Sequence, residues 1–406
     1  MSHTLGRLRG RTAILAVAAA LLCNQAAAQP ITEAEAVERA LAQPELNALG
    51  EANREEAEAR VSGIRTFDNP EVTVSRESIS GDGVSETEWQ VGVVQPIDLS
   101  GRRAHLRAAG RAEVGAVQAD SARRRQERVA EVRRAYAGCA AANERARIAE
   151  AFVARLREAE RIVTARAGAG DVAVYDLRRL RVEARSAEAQ ALVEQGEARA
   201  NCASLASLTG QPEARPTASI TLLAANLSGS LSALSRPDLV AREQRLTAAA
   251  EQVRAAQRAR LPDLAVGIGV KQVSSNSGSA TGPVLSVGMR VPLFGGAGPA
   301  VRQAQARQRA LAAELGLARR EVDAAVAAAA ARSEAAVEAA ARAETAGDDA
   351  RRLGPIAEAA YEGGETGVVE LVDAYRAARD AELNIVDQLE RAVRARIDLE
   401  LARGTL

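Results

Sequence analysis

A helical sequence that glycine interrupts twice, at two places about half a chain apart, restricts the possible folds more than any other feature. The second interruption reads "AYEGGETGVVELVDAY" and the first reads "ARAGAGDVAVYDLRRL". When the two stretches are superposed, the aligned pairs are Gly170 with Gly364 and Asp176 with Glu370. Because a matched pair of breaks indicates an internal repeat, the chain is predicted to contain one structural unit twice.

Further matches keep nearly the same spacing. The segment "NPEVTVSRES" corresponds to "LPDLAVGIGV", and "QPIDLSG" corresponds to "VPLFGGA". The predicted repeats are residues 29–215 and residues 216–406. Each repeat is expected to contain a pair of strands and a helical hairpin that turns at its glycine break.

The composition favours long helices over a thick globular core. Aromatic residues make up 2% of the chain, and its formal net charge is zero. One helical pattern continues from about residue 103 to residue 166, which at 1.5 Å per residue corresponds to roughly 95 Å. The balanced charge provides no basic surface for nucleic acid, so nucleic acid is excluded as a partner. The expected fold is mostly α with a small β part.

The first 28 residues have the pattern of a secretory signal peptide. Three arginines precede an apolar run, and "AAA" before Gln29 provides a small-residue cleavage site. The run is too short to span a bilayer as a helix. Lipid attachment at Cys23 is an alternative, although the bulky Leu22 precedes that cysteine.

Four segments alternate with a period of two and are predicted to be strands. They cover residues of about 70–78, 87–95, 264–272 and 284–291. In the third strand Val266, Ile268 and Val270 share one face, whereas the opposite face is small or polar. Because the helices have few large apolar side chains to cover such a face, we expect it to contact lipid.

Four strands cannot close a membrane barrel alone, since an open edge in lipid leaves backbone groups unpaired. Several copies must therefore share one barrel. Two copies would give eight strands and three would give twelve, and the strand count does not choose between them.

Cys139 and Cys202 are equally far from the turn of the first predicted hairpin. They are therefore expected at the same height on its two arms. An exported protein can form a disulfide there, which we favour over two buried free thiols.

Taken in order, these segments resemble the TolC-like outer membrane efflux factor family. The resemblance covers nearly the whole mature chain through "ITEAEAVERALAQPEL", "NPEV", "QPIDLSGRR", "PLFGGAGP" and "YEGGETGVVELVDA". It implies a homotrimer in the outer membrane of a Gram-negative bacterium, extending into the periplasm. Its four β-strands per chain would form a shared 12-stranded barrel, continued by a long periplasmic α-helical barrel.

The resemblance also implies site residues at the inner end of the duct. Glu370 and Asp373 match acids that line a closed entrance, and Tyr361 matches an aromatic that helps to hold it shut. Gly364, Gly170 and Asp176 belong to the same tips. In three copies the acids would form rings that favour cations; alternatively, they complement the N-terminus of the last helix. An arginine common after the second tip glycine is Thr366 here.

Phe67 and Phe294 flank strand ends and are predicted to be aromatic anchors at the membrane interface. The segment "QPIDLSGRRAHLRAAG" is most similar to outer membrane components of heavy-metal efflux systems of the cobalt, zinc and cadmium type. The resemblance therefore implies heavy-metal cations as substrates. It implies a periplasmic adaptor and an inner membrane RND-type pump as partners, besides outer membrane lipid.

No catalytic set, cofactor motif or soft-metal cluster is visible in the sequence, so an enzyme is not expected. His105 is the one histidine after the signal peptide. Multidrug efflux and type I secretion remain alternatives for the substrate. A periplasmic coiled-coil scaffold or adaptor without a pore is the alternative from a different class, but it leaves the apolar strand faces unexplained.

Overall fold

The computed structural model describes residues 29–64, 67–169, 173–225, 236–292 and 297–406. The predicted signal peptide lies outside the described residues. In this part of the chain the fold is mostly helical with a small sheet part, as the sequence predicts. The helices are α1 (Glu33–Leu41), α2 (Pro44–Ser62), α3 (Arg102–Ala169), α4 (Val174–Thr209), α5 (Ile220–Ala225), α6 (Pro237–Arg258), α7 (Gly298–Glu362) and α8 (Val368–Arg403). The strands are β1 (Gln29–Ile31), β2 (Glu71–Gly81), β3 (Val84–Ile97), β4 (Ala214–Pro216), β5 (Asp263–Ser275) and β6 (Gly278–Arg290).

The chain divides into two compact units, each built from several stretches of sequence. Among the described residues, the hairpin unit comprises those within 1–43, 128–230 and 329–399. The sheet unit comprises the described residues within 44–127, 231–328 and 400–406. Each unit therefore contains parts of both predicted repeats.

The sheet unit is organised around four antiparallel strands in the order β2-β3-β5-β6. Each strand matches its predicted segment to within two residues at the end near the helices and extends further toward its tight hairpin turn, so the strands are longer than the alternation alone indicated. The turn between β2 and β3 holds Asp82 and Gly83 at positive φ (43° and 88°). The two hairpins join through β3 and β5, in a register that pairs Val93 with Ile268.

One face of this sheet is a continuous exposed apolar surface. The register aligns Val72, Val93, Ile268 and Leu285 in one row across the four strands. Their exposed fractions are 68%, 42%, 68% and 75%. Exposed apolar side chains at four neighbouring positions are unusual for a face in water. The predicted segregation of apolar residues is therefore present in the structure.

The opposite face carries small side chains where β3 and β5 approach each other. A Cβ atom added at Gly269 would lie 2.6 Å from the carbonyl oxygen of Val91 and 2.9 Å from the Cα atom of Gly92. These distances are too short for any side chain. Glycine is therefore required at this position for the two central strands to pair as they do.

Helices of the sheet unit pack as antiparallel neighbours. Nδ1 of His105 in α3 lies 2.8 Å from Oε2 of Glu251 in α6. Farther from the sheet, a guanidinium nitrogen of Arg319 in α7 lies 2.6 Å from Oε1 of Glu243 in α6. These two contacts fix the register of α6 against both of its long neighbours.

The hairpin unit contains a hydrophobic core around Tyr136. Its hydroxyl donates to the carbonyl of Ile31 (2.9 Å) and accepts from the backbone N–H groups of Thr217 (3.1 Å) and Ala218 (3.2 Å). The fully buried side chain of Tyr136 thus connects β1 to the segment that follows β4. The strands β1 and β4 themselves pair in parallel. A capping box of Thr32 and Glu35 begins α1.

Proline has different effects on two helices. Between α1 and α2 the helix divides after Leu41, and Pro44 begins the new helix, because proline suits a first helical turn. In contrast, α7 continues through Pro355 to Glu362. Packing of Ala357 and Tyr361 against the core accounts for this continuation despite the hydrogen bond that proline removes.

Within the described residues, no helix has both the length and the apolar character that spanning a membrane requires.

Replacing Tyr136 with Phe should destabilise the protein by about 2 kcal/mol, since it leaves buried backbone groups without their partner. Urea unfolding followed by circular dichroism measures this change. Tyr175→Phe is the matched control, because that side chain is exposed, and its effect should stay below about 0.5 kcal/mol. Equal effects of the two substitutions would contradict the role of Tyr136.

Candidate functional site

The tip of the second helical hairpin is a short turn between α7 and α8. Gly364 has φ of 75°, in the region that favours glycine. The N–H of Glu365 donates to the carbonyl of Ala360 (2.9 Å), and that of Gly364 donates to the carbonyl of Tyr361 (3.2 Å). These bonds end α7 and reverse the chain within a few residues, as the sequence predicts for this glycine.

Both predicted acids are exposed at the start of α8. Oε2 of Glu370 accepts from the backbone N–H of Gly367 at 3.1 Å, so this carboxylate complements the N-terminus of its own helix. Asp373 lies one turn further along, and its side chain is 60% exposed. Complementing the helix N-terminus, which was the alternative role, thus accounts for one contact of Glu370. It does not account for Asp373, which is exposed. Whether copies of these acids form rings stays a prediction.

Tyr361 is buried beneath an arginine from the first hairpin. The guanidinium of Arg166, near the end of α3, lies 4.9 Å from the centre of the Tyr361 ring. It also donates to the carbonyl oxygens of Tyr361 (3.1 Å) and Glu362 (3.2 Å). A cation at the C-terminus of α7 is electrostatically favourable and satisfies carbonyl groups that the helix leaves open.

A second arginine joins α8 to α4. Nε of Arg376 donates to Oε1 of Glu183 at 2.8 Å, and a second guanidinium nitrogen contacts the other carboxylate oxygen. The hydrogen bond from Arg376 lowers the pKa of Glu183. The same guanidinium lies 3.4 Å from Asp373. We call Arg166, Arg376 and Glu183 the arginine clasp, since they connect the second hairpin to the first.

The buried side chain of Tyr375 forms a further contact between the helices near the arginine clasp. Its hydroxyl donates to Oε1 of Glu358 at 2.7 Å, linking α8 back to α7. Burial, and next the hydrogen bond to Glu358, raise the pKa of this phenol. An apolar cluster that includes Phe152, Leu180 and Val372 fills the space between these helices.

Sequence analysis missed the clasp, because its members are ordinary charged residues among many on helix surfaces. The spacing offered one signal: Arg166 precedes the first glycine break, so it had to lie near the tip. At the position of Thr366 the family's arginine is absent, and the two clasp arginines come from other positions in the sequence. Glu183 gave no signal, since its partner is distant in the chain.

The first tip is described only in part. Gly170 lies outside the described residues. Asp176 is half-buried in the first turn of α4, where its N–H donates to the carbonyl of Ala173 at 3.0 Å.

The buried hydroxyl of Tyr361 has no hydrogen-bond partner among the described residues, so within them Tyr361 is held by Arg166 and its apolar neighbours.

Cys139 and Cys202 form a disulfide between α3 and α4, with their Cα atoms 4.7 Å apart. Small residues lie beside both cysteines, which allows the two helices to approach this closely. Of the predicted interface aromatics, Phe67 is exposed and Phe294 lies outside the described residues.

Catalytic or metal chemistry has no support in the described residues. They contain no group of three or more histidine, cysteine or acidic side chains that could hold a metal ion. His105 lies beside Glu251 rather than in a catalytic set. The candidate site is thus a pair of helical hairpins that the arginine clasp connects, with exposed acids near the tip of the second hairpin. The sheet, which belongs to the other unit, exposes an apolar face. An exposed apolar sheet face together with long helical hairpins is typical of a membrane channel component.

Comparison with known proteins supports this class. The family model described as outer membrane efflux protein matches residues 12–211 and 229–405. CusC, whose solved structure is described in terms of transmembrane channel formation, is 20% identical with a TM-score of 0.75, and the match covers 92% of both chains. VceC from Vibrio cholerae is 20% identical with a TM-score of 0.72, covering 92% of this chain and 96% of VceC. No curated protein sequence gives a significant match.

The chain belongs to the outer membrane efflux protein family. It is therefore a transport protein of the outer membrane that extends into the periplasm, and it is not an enzyme. The predicted family resemblance is confirmed.

Glu183→Gln should weaken the clasp at neutral pH by about 1 kcal/mol. Because pairing lowers the folded-state pKa of Glu183 below its ordinary 4.5, the stabilisation is complete above the unfolded-state value. It is lost as the pH falls through the lowered pKa. The difference in unfolding free energy between wild type and variant should therefore be present at pH 7 and shrink below about pH 4.

Glu197→Gln, an exposed substitution on the same helix, is the control and should have little effect at either pH. A Glu183→Gln effect that does not change with acidification would show that charge pairing is not its cause.

Cys139→Ala combined with Cys202→Ala should lower stability by about 4 kcal/mol, because the bridge closes a loop with a sequence separation of 63. Thermal unfolding of the wild type with and without reductant gives the same comparison without mutation. A thiol titration of the unreduced mature protein should find neither cysteine free. Two titratable thiols in the unreduced protein would exclude the bridge.

Proposed function

We propose that three copies of this chain form the passive exit duct of a tripartite efflux system that exports heavy-metal cations. Each predicted repeat would supply one β-hairpin to a shared 12-stranded barrel and one helical hairpin to the periplasmic part. An inner membrane RND-type pump supplies the energy, since the chain carries no nucleotide-binding motif. A periplasmic adaptor docks at the tips and opens the entrance.

The exposed acids at the start of α8 carry this proposal. Glu370 and Asp373 are three residues apart on one helix, so they lie on the same face. In a trimer, three such pairs would face a common axis and attract cations. The clasp supports an entrance that is closed at rest, because it ties the second hairpin to the first beside these acids.

The metal substrate has separate support. The segment "QPIDLSGRRAHLRAAG" resembles the corresponding segment of heavy-metal efflux components, and cation-attracting acids suit that cargo. Drugs or secreted proteins remain the alternative cargo, since the pump mainly selects what enters such a duct.

Glu370→Gln combined with Asp373→Asn should reduce the cation selectivity of single channels in planar bilayers. The reversal potential in a salt gradient should move toward zero, because fixed negative charge at the entrance is removed. The matched control is Glu334→Gln with Asp349→Asn, which removes two exposed acids of the neighbouring helix α7, away from the entrance. An equal shift in both double variants would sink the assignment to the entrance.

The same preparation tests the assembly and the cargo. Its mass should correspond to a trimer, and a soluble, non-conducting protein would favour the scaffold alternative. Cells that lack the chain should lose tolerance to zinc, cobalt, cadmium or copper salts and keep their drug tolerance. Loss of drug tolerance alone would contradict the metal substrate and leave the channel intact.

A further inference from the structure

Four exposed arginines of the sheet unit lie close to the end of the sheet at which its strands meet the helices. Arg102 begins α3, Arg258 ends α6, Arg260 precedes β5, and Arg302 is in the N-terminal part of α7. None of the four forms an ion pair with another residue in the described ranges. We call this set the basic collar.

The register between α6 and α7 places the arginines of the collar at similar heights along the helix axes. Arg319 of α7 is level with Glu243 of α6, and the two helices are antiparallel. Counted by residues toward the sheet, Arg302 in α7 therefore corresponds to Arg260, which lies in the turn just beyond the end of α6. Both helices thus end their approach to the sheet with an exposed guanidinium.

Contacts between α3 and α6 extend the collar to Arg102. Ala109 and Ala112 pack against Ala248, which places Arg102 within about one helical turn of Arg258. The four arginines therefore occupy a band about two helical turns deep, although they come from distant parts of the sequence.

Apolar surface begins directly beside this band. Leu99 and Leu261 are exposed between the collar and the strands, with exposed fractions of 65% and 43%. Beyond them, the exposed apolar face of the sheet continues along β3 and β5. A band of arginine next to apolar surface is typical of side chains that lie at the level of lipid headgroups.

Acids of the chain offset only part of the collar. Asp68 and Asp98 lie at the same end of the sheet and pair with Arg103, and the charge of Arg102 also acts on Asp68. The described first turns of α3 and α7 contain no acidic residue, whereas α4, α6 and α8 each have one. Arg258, Arg260 and Arg302 therefore keep exposed positive charge that no ion pair within the described residues neutralises. A phosphate group would supply it, because guanidinium binds phosphate through paired, charge-assisted hydrogen bonds.

We propose that the basic collar binds the phosphates of anionic phospholipids, of the phosphatidylglycerol type, in the membrane leaflet that meets the base of the sheet. This inference rests on the proposed membrane barrel. The leaflet is the periplasmic one, since the collar lies on the helical side of the sheet. Each arginine near an anionic surface contributes about fivefold to binding.

Native mass spectrometry of the detergent-extracted oligomer tests the collar, with phosphatidylglycerol and phosphatidylcholine as probes. Wild type should retain phosphatidylglycerol in preference to phosphatidylcholine. Arg258→Gln, Arg260→Gln and Arg302→Gln together should reduce this preference at least tenfold. Raising the salt concentration should narrow the difference, because screening weakens contacts between exposed charges.

The matched control removes the same charge elsewhere. Arg242→Gln, Arg320→Gln and Arg332→Gln change three exposed arginines away from the collar and should leave the lipid preference unchanged. Equal retention of both lipids by wild type would overturn the proposal, and so would equal losses in the two triple variants. A preference for purified lipopolysaccharide over phosphatidylglycerol would overturn the assignment to the periplasmic leaflet.

Channel conductance separates this proposal from the proposed function. A conducting oligomer without lipid preference would refute the collar and leave the duct standing. An oligomer that neither inserts nor conducts would refute the duct itself, and the collar would fall with it.

Discussion

Unpaired backbone groups at the edges of the four-stranded sheet are the constraint on which the rest depends. Among the described residues, β2 and β6 each have a strand neighbour on one side only. In water such edges can be hydrated, but in hydrocarbon every open N–H and C=O group costs several kcal/mol. A chain that exposes an apolar sheet face to lipid must therefore close its sheet with strands from other copies.

This requirement explains features that look unrelated in the sequence. The required glycine at position 269 lets the two central strands pair without a gap between the hairpins. The long helices need no large apolar core, because alanine and other small residues allow close packing at low side-chain entropy. Charged residues then cover the helices and connect neighbouring ones, as the arginine clasp does at the tips.

Much of the fold could be predicted from the sequence because two periodicities dominate it. Alternation located the four long strands, and the glycine breaks located the hairpin turns. What could not be predicted had no periodicity to reveal it. The short strands β1 and β4 depend on Tyr136, whose hydroxyl bridges segments distant in sequence. The continuation of α7 through Pro355 depends on tertiary packing, which outweighs the local tendency of proline to end a helix. For the candidate site, the acids were visible beside their glycines, whereas the pairing of Arg376 with Glu183 depends on three-dimensional register.

The disulfide of the first hairpin also sets a time in the life of the chain. Thiols stay reduced in the cytosol, so Cys139 and Cys202 can be joined only after the chain has reached an oxidising compartment. Before that moment only non-covalent contacts, including the ion pairs of Arg157 with Glu188 and of Arg181 with Glu160, can hold the two arms, which can still separate for passage through a narrow translocation pore. After oxidation, the disulfide bond fixes the position of one arm relative to the other. The bridge thus works as a one-way step that separates a transportable chain from an assembled one.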